Sequence, residues 1–437
     1  MTDAAPRLKH LLEQLLGAPL PLRVRAWDGS QAGPPDAPTL VVRRRRALRR
    51  LLWKPGELGL ARAWVAGDLG IEGDLYTALD LISGSVWERG DDTRTTLQAL
   101  RDPEFRAALR GFARLAGLPL ALLPPAPPAE ESRDRPGHRP RHTRRTDRRA
   151  ISHHYDVGND FYELVLGPSM VYSCAYWPAP PPAATLEDAQ RDKLELVCRK
   201  LGLTPGQHLL DVGCGWGSLA VHAAREHGVR VTGITLSREQ AAYARKRVAD
   251  AGLTDRVEIR VQDYRDVTDG PYDAISSIGM AEHVGAERYL EYATLLHGLL
   301  RPGGRLLNHQ IARRPQRDET TYHVDEFIDA YVFPDGELAP IGGTVTQLER
   351  AGFEVRDVES IREHYALTLR SWVTRLEDGW EQAVRLTSPA RARVWRLYMA
   401  ASAVAFERGR IGVNQVLAVR ATTDGTSGIQ LRTRTWN

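Results

Sequence analysis

The chain has 437 residues, 42% hydrophobic and 26% charged, with a mean hydropathy of −0.37, an ordinary globular composition that suits two or three domains. No apolar run approaches the ~20 residues of a membrane span, and the opening stretch MTDAAPRLKHLLEQLLG lacks the features of a signal peptide, so an integral membrane or conventionally secreted protein is not expected. Three cysteines, Cys174, Cys198 and Cys214, support neither a disulfide framework nor a structural zinc cluster; the net charge of +4 is uneven, with 26 Lys+Arg against 18 Asp+Glu in residues 1–150 and 33 against 37 in the rest.

Residues 1–120 mix short apolar runs with basic clusters, of which Arg43–Arg46, Arg49 and Arg50 form the tightest. A basic half suits an anionic surface, phospholipid or nucleic acid. These arginines adjoin Leu51-Leu52-Trp53, as on a segment that lies on a bilayer, and no nucleic-acid-binding signature occurs. The expectation is a membrane-docking domain and no nucleic acid; a solvated charge run is the plainer alternative. Residues 121–150, with eight arginines between 133 and 149, hold little to bury and are predicted to be a Pro/Arg-rich linker.

From Ile151 to the end, at 437, strand-like and helix-like segments alternate. Strands are predicted at His208–Val212, Val229–Leu236, Arg256–Asp263, Tyr272–Ile278 and Arg305–Ile311, with a final pair at Phe353–Ile361 and Asn414–Arg420. Helices are predicted over Ser237–Ala251 and Ala286–Leu300. Such alternation indicates an α/β fold, a doubly wound, mostly parallel sheet of seven strands with ligands at the strands' carboxyl ends. The smaller amino-terminal domain is expected to be α+β. The segment Asp325–Pro340, with Phe327, Ile328, Tyr331, Val332 and Phe333, interrupts the alternation; it is either a loop packed on the core or a cap over an apolar substrate.

The first strand runs into Asp211-Val-Gly-Cys-Gly-Trp-Gly217. Gly213, Gly215 and Gly217 allow close backbone approach to a ligand. A dinucleotide fingerprint would need glycine at 218, where Ser218 stands, and an acid near 235, where Thr235 and Leu236 stand. No GxxxxGK[ST] occurs. An acid just before the turn suits a cationic, carboxylate-bearing ligand: Asp211 can accept from an ammonium, the helix start can receive a carboxylate, and Asp263 can accept from an adenine amino group. Residues 205–311 thus resemble the class I S-adenosylmethionine-dependent methyltransferases.

Five further motifs, in order, narrow the resemblance: HHYDVGNDFYELVLGPSMVYSCAYW (153–177), GMAEHVG (279–285), NHQI (308–311), FIDAYVFPDGELAP (327–340) and HYALTLRSW (364–372). Residues 150–420 resemble the cyclopropane-fatty-acyl-phospholipid synthase family. The stretch 53–75 resembles the extra domain of its long actinobacterial branch, which includes methyltransferases making 10-methylene fatty acids, the precursors of tuberculostearic acid. The resemblance implies methyl transfer from S-adenosylmethionine to a cis alkene of a phospholipid acyl chain, through a carbocation deprotonated by bound bicarbonate. The implied product is a methylene branch, saturated by a separate reductase, or alternatively a cyclopropane; a small-molecule or RNA methyltransferase is the more distant alternative. It also implies a cytoplasmic enzyme peripheral on the inner membrane face, and a homo-oligomer, a dimer.

By motif, the resemblance assigns the anion pocket to Cys174, Glu282, His309, Ile311 and Tyr365: Glu282 orients the ion, His309 and Tyr365 donate to it, and Cys174 and Ile311 act through backbone groups. Read without the family, each has a plain structural role, a core thiol, a satisfied core histidine or an amphipathic tyrosine. The methionine part of the cofactor falls to Tyr172 and Ser173, the ribose side to Thr235, Leu236 and Gln240, and the adenine to Gln262, Asp263 and Tyr264. No metal is implied, and Cys198 and Cys214 read as structural or incidental. Some members carry a cysteine in the late helix; YMAASAVAF has Ser402 there, so no cysteine nucleophile is expected at that place.

Overall fold

The computed structural model describes residues 3–16, 18–54, 56–86, 103–117, 123–131, 143–144, 157–319, 322, 324–334 and 336–429. Most of the arginines of 133–149, and His153 and His154 of the first family motif, lie outside these. The chain divides into two compact units.

The first unit takes in residues up to Arg133 and two pieces from later in the chain, Asp325–Val332 and Ser388–Val404. Its elements in order are α1 (Ala4–Leu16), β1 (Arg23–Arg25), β2 (Gln31–Ala32), β3 (Thr39–Val42), α2 (Arg46–Trp53), α3 (Glu57–Val65), β4 (Leu69–Glu72), α4 (Leu75–Val86) and α5 (Pro103–Ala116). The sheet runs β2-β1-β3-β4, with Leu8, Leu22, Val24, Val42 and Leu48 in one apolar cluster. This is the α+β unit expected, but its borders differ from 1–120. Within the stretch read as linker, Glu131 pairs with Arg62 and accepts from the Tyr331 hydroxyl at 2.9 Å. The carbonyl of Ala126 accepts from Arg50 at 2.8 Å.

The arginine cluster is divided: Arg43, Arg44 and Arg45 are exposed, Arg46 and Arg49 are half-buried, and Arg50 is buried. Asp68, wholly buried, takes both arms of Arg46 (2.9 and 3.0 Å) and Nε of Arg50 at 3.3 Å. Arg49 donates to the Leu123 carbonyl, and Arg45 lies over the Trp27 ring. Sequence alone shows a run of charge; the fold answers most of it with one carboxylate and a few carbonyls, because a buried guanidinium requires partners.

The second unit begins with α6 (Asn159–Leu166) and α7 (Leu186–Leu201). α7 starts where Thr185 and Asp188 close a reciprocal capping box and stops at Gly202, whose φ of +64° favours glycine. The alternation then follows the expected order: β5 (His208–Val212), α8 (Ser218–His227), β6 (Arg230–Thr235), α9 (Arg238–Asp250), β7 (Val257–Val261), β8 (Tyr272–Ile278), α10 (Ala281–Val284), α11 (Tyr289–Leu299) and β9 (Leu300–Arg313). After the inserted α12 (Glu326–Tyr331) come β10 (Ala339–Pro340), α13 (Ile341–Arg350), β11 (Glu354–Ser360), α14 (Arg362–Asp378), α15 (Trp380–Leu386), α16 (Pro389–Glu407) and β12 (Ile411–Val419).

The seven-stranded path is β11-β12-β9-β8-β5-β6-β7, and β10 pairs with β9 off it. Only β12 runs antiparallel, against β9 and β11. β5 shows why the sheet lies between helices. Leu209 belongs to the cluster with Val197 and Ala224 of α7 and α8, and Leu210 and Val212 to the cluster with Ala293 and Leu296 of α11. Alternate residues of a strand point to opposite faces, so Asp211 shares the face of Leu209 and looks toward α7. Among the described residues, no helix is long and apolar enough to cross a membrane.

The segment Asp325–Pro340 is divided between the two units. Phe327 and Tyr331 of α12 are buried within the first unit. Phe333 onward belongs to the second. There the Phe333 ring meets His283 edge-on at 5.5 Å, and the Glu337 N–H donates to the Glu282 carbonyl at 2.9 Å. Neither sequence alternative, loop or cap, describes both halves.

Candidate functional site

The turn after β5 is pinned from below. The N–H groups of Gly213 and Cys214 both donate to the Ile234 carbonyl, at 3.0 and 2.9 Å. Gly213 has φ +76°, and a Cβ there would run into Met280. Gly215 has φ +54°, and a Cβ there would meet nothing within 4 Å. Its backbone therefore borders open space, which suits a ligand that lies against the chain. Gly217 caps α8. The cavity above encloses about 150 Å³ and is lined by Tyr172, Ser173, Asp211, Gly213, Gly215, Thr235, Leu236, Gln240, Gln262 and Tyr264, among others. Sequence reasoning assigned all ten to the cofactor, and the fold brings them together.

Charge at this end is compensated. Asp211 accepts from Ser276 Oγ at 2.7 Å; burial raises its carboxyl to about 6, against the pull of Ser276 and Lys193. Lys193 is fully buried, donates to Ser173 Oγ at 2.9 Å, and is pushed down by burial to about 8. Gln190, one turn earlier on α7, donates to the Ser173 carbonyl at 3.0 Å. Thr235 donates to Gln240 Oε1 at 2.8 Å, so these two ribose-side residues hold each other.

Asp263 is placed differently from its neighbours. It caps a short 3-10 turn, and Arg265 grips its carboxylate with Nε at 2.8 Å, Nη2 at 2.7 Å and the backbone N–H at 3.0 Å. Burial raises its pKa, but the bonds from Arg265 outweigh burial and hold it below the usual range. Gln262, Tyr264 and Arg265 line the cavity, and Asp263 stands behind them.

The carboxylate end is built from the β8–α10 turn and β9. Glu282 Oε1 accepts the Ile311 N–H at 2.7 Å. Its Oε2 is buried and, among the described residues, has no hydrogen-bond partner. Burial raises this carboxyl to about 7. An orphaned buried oxygen asks for a donor from a ligand, so the residues present fit a small protonated anion such as bicarbonate. His309 lies two residues before Ile311 on β9. It is buried, and desolvation together with Lys193 and Lys200 depresses it to about 3. Gln415 Nε2 faces its Nδ1 at 3.3 Å, an arrangement that leaves the ring proton on Nε2, available as a donor. Gln415 Oε1 is also buried and, among the described residues, has no hydrogen-bond partner. Cys174 is buried, its Sγ 3.2 Å from its neighbour's carbonyl and 3.6 Å from that of Ile361; burial raises the thiol well above its ordinary value. Ser402 falls within the first unit.

A series of aromatic rings runs from the glycine turn to α14 and α16. Trp216 meets Tyr162 at 4.7 Å, Tyr162 meets Tyr172 at 5.6 Å, Tyr172 meets Trp372 at 5.4 Å, Trp372 meets Tyr365 at 6.0 Å and Tyr365 meets Phe406 at 4.7 Å. Sequence reasoning named Tyr172 and Tyr365 and missed Trp216, Tyr162, Trp372, Lys193 and Arg265. A signal existed for Lys193: of 59 basic side chains only five are lysine, and this one sits in the apolar periodicity of α7.

The chain is similar to known proteins of one family. The family described as mycolic acid cyclopropane synthetase matches residues 142–416. A probable fatty acid methyltransferase of Mycobacterium tuberculosis is 45% identical over 420 residues, 94% of each chain. The tuberculostearic acid methyltransferase of the same organism is 35% identical over 96% of this chain and 92% of its own. The crystal structure of mycolic acid cyclopropane synthase CmaA1 complexed with SAH and CTAB superposes with a TM-score of 0.58 at 35% identity, over 62% of this chain and 97% of that one. The chain belongs to the mycolic acid cyclopropane synthetase family of S-adenosylmethionine-dependent fatty acid methyltransferases and cyclopropane synthases.

Proposed function

We propose that this enzyme methylates the cis double bond of an unsaturated phospholipid acyl chain and releases a methylene-branched (10-methylene) chain, which a separate reductase then saturates. The observation that carries the reading is Glu282, with one oxygen fixed by Ile311 and the other buried without a partner. Ordinary transfer to oxygen or nitrogen needs no such pocket. S-adenosylmethionine supplies the methyl group, and bicarbonate supplies the base.

The chain's own residues meet three demands of alkene chemistry. An alkene is a weak nucleophile and leaves a cation, so water must be kept out; the rings of Tyr172, Trp372, Tyr365 and Phe406 do this and present electron-rich faces to positive charge. No side chain may compete for the cation; Cys174 remains a thiol because burial disfavours its thiolate. The base must be oriented; Glu282 accepts its proton, and the Nε2–H of His309 and the Tyr365 hydroxyl donate to it. The methylene product requires a 1,2-hydride shift before the new methyl loses a proton, and the tuberculostearic acid methyltransferase relative, similar over nearly the whole chain, supports that branch.

We further propose that the first unit docks the enzyme on the inner face of the membrane. Its exposed Trp53 and Leu60 support an apolar contact, and the exposed Arg43, Arg44 and Arg45 an electrostatic one. Flotation with neutral and anionic vesicles tests this: Trp53→Ser is expected to reduce binding to both.

Purified protein, S-adenosylmethionine with a trideuterated methyl and vesicles of cis-monounsaturated phospholipid test the chemistry, with fatty acids read by mass spectrometry. The expected product gains one carbon and retains two deuteriums. Mild hydrogenation to a methyl branch identifies the methylene, and resistance to it identifies a cyclopropane. No added carbon would sink the lipid reading.

A further inference from the structure

Away from the methyl-transfer residues, four side chains of α7 and α8 converge. α7 contributes Glu195 and, one turn on, Cys198; α8 contributes His222 and His227. The Cys198 sulfur and one ring nitrogen of each histidine lie within 4.8 Å of one another. Glu195 Oε2 is 3.2 Å from His222 Nε2 and 3.0 Å from His227 Nε2. Cys198 is fully buried, and the histidine side chains are 13% and 16% exposed. From these positions we infer that Cys198, His222 and His227, with Glu195 drawn in from the two histidines as the fourth ligand, form a tetrahedral site for one zinc ion.

Chemistry and charge both select the ion. One sulfur, two imidazole nitrogens and one carboxylate oxygen are borderline-soft donors, which suit Zn²⁺ and not Mg²⁺ or Ca²⁺. A thiolate and a carboxylate offset the two charges of the ion, so the half-buried site is neutral when filled. Zinc–ligand bonds of about 2.0–2.3 Å place ligand atoms about 3.3–3.7 Å apart, so Cys198 and the two histidines, within 4.8 Å, must contract by roughly an ångström and Glu195 must swing toward Cys198. Without the ion, Glu195 does the ion's work. Burial pushes its carboxyl up, but hydrogen bonds from Arg199, His227 and His222 win and hold it near 2. Binding displaces the shared ring protons from Nε2 to Nδ1 and releases the Cys198 thiol proton to water.

The ligands come as Glu-x2-Cys on one helix and His-x4-His on the next; the histidine spacing is an ordinary zinc spacing, and a count of three scattered cysteines does not look for it. The site lies behind the cofactor pocket. α7 carries Gln190 and Lys193 beneath Ser173, and α8 leaves directly from the glycine turn. An ion would clamp these two walls together without touching the reacting atoms.

Untagged full-length protein, stripped with chelator and desalted, would be incubated with Zn²⁺ and its metal content measured. One equivalent per chain is expected, falling at least tenfold in Cys198→Ser and His227→Asn, together with a rise in melting temperature of the wild type only. Co²⁺ in the wild type is expected to give a thiolate-to-metal charge-transfer band. This reading needs no variant to fold and no activity, so it stands apart from the lipid reaction. Less than about 0.1 equivalent of zinc, equal binding by the variants, or a cobalt spectrum without the thiolate band would each overturn the proposal.

Discussion

The turns after β7 and β8 each carry a carboxylate, and the two are treated in opposite ways. Asp263 receives three hydrogen bonds from one arginine two residues away and stays below the usual carboxylate range. Glu282 receives one backbone N–H, keeps an oxygen bare and is raised to about 7. The first is a finished piece of structure that holds the rim in shape. The second is held short of completion, which in a buried place is costly unless a ligand completes it.

The comparison breaks most visibly at Glu282. Glu282→Gln is expected to lower the rate of methyl transfer on the order of 10³-fold, about 4 kcal/mol of barrier, while calorimetry finds S-adenosylmethionine affinity within about twofold of wild type. An equal loss of affinity would mean that Glu282 serves the cofactor. Asp68 in the first unit is the satisfied extreme. Asp68→Ala strands the buried Arg50 and is expected to remove about 3 kcal/mol of stability, read from the denaturant midpoint; a loss below about 1 kcal/mol would show that its arginines find other partners.

Titration sharpens the same contrast. Activity should rise with pH up to about 7, where Glu282 ionises, and then level. His309, already neutral above about 3, contributes no limb in that range. The stability has the opposite sign. Between the ordinary carboxyl value of 4.5 and about 7, the folded state holds a proton that the unfolded chain has shed, so wild-type stability falls as pH rises through that window. Glu282→Gln should show a shallower fall, with Asp211 (raised to about 6) and Glu57 (raised to about 9) keeping their own share; an undiminished fall would assign the proton elsewhere. The smallest effects are expected at Tyr365→Phe, about a tenfold loss of rate from one hydrogen bond, and at Arg265→Ala, a change of cofactor affinity under about threefold.

Much of the fold was legible because parallel strands buried on both faces read as short apolar runs. His208–Val212 and Tyr272–Ile278 have the bounds expected of them, and Arg256–Asp263 is shorter by one or two residues at each end. β9 is longer than Arg305–Ile311 because pairing with β12 continues past the apolar stretch, as far as Arg313. Cofactor-side residues could be found from the glycine turn, since backbone geometry there leaves a mark in sequence. The partners of charge were not legible. Nothing in a linear run says that Arg265 turns back on Asp263, or that Arg46 and Arg50 share one buried carboxylate, because each pairing is settled only when the tertiary fold removes water from the alternatives.

The buried amine beneath Ser173 has a consequence for how this chain can drift. With 59 basic side chains and five lysines, the chain has almost everywhere settled on arginine. At position 193 that exchange is barred. An ammonium at about 8 can shed its charge beside a sulfonium, and a guanidinium cannot. Of the five lysines, Lys246 stays charged at the surface beside Asp250, whereas Lys193 is a buried charge that the chain can put down.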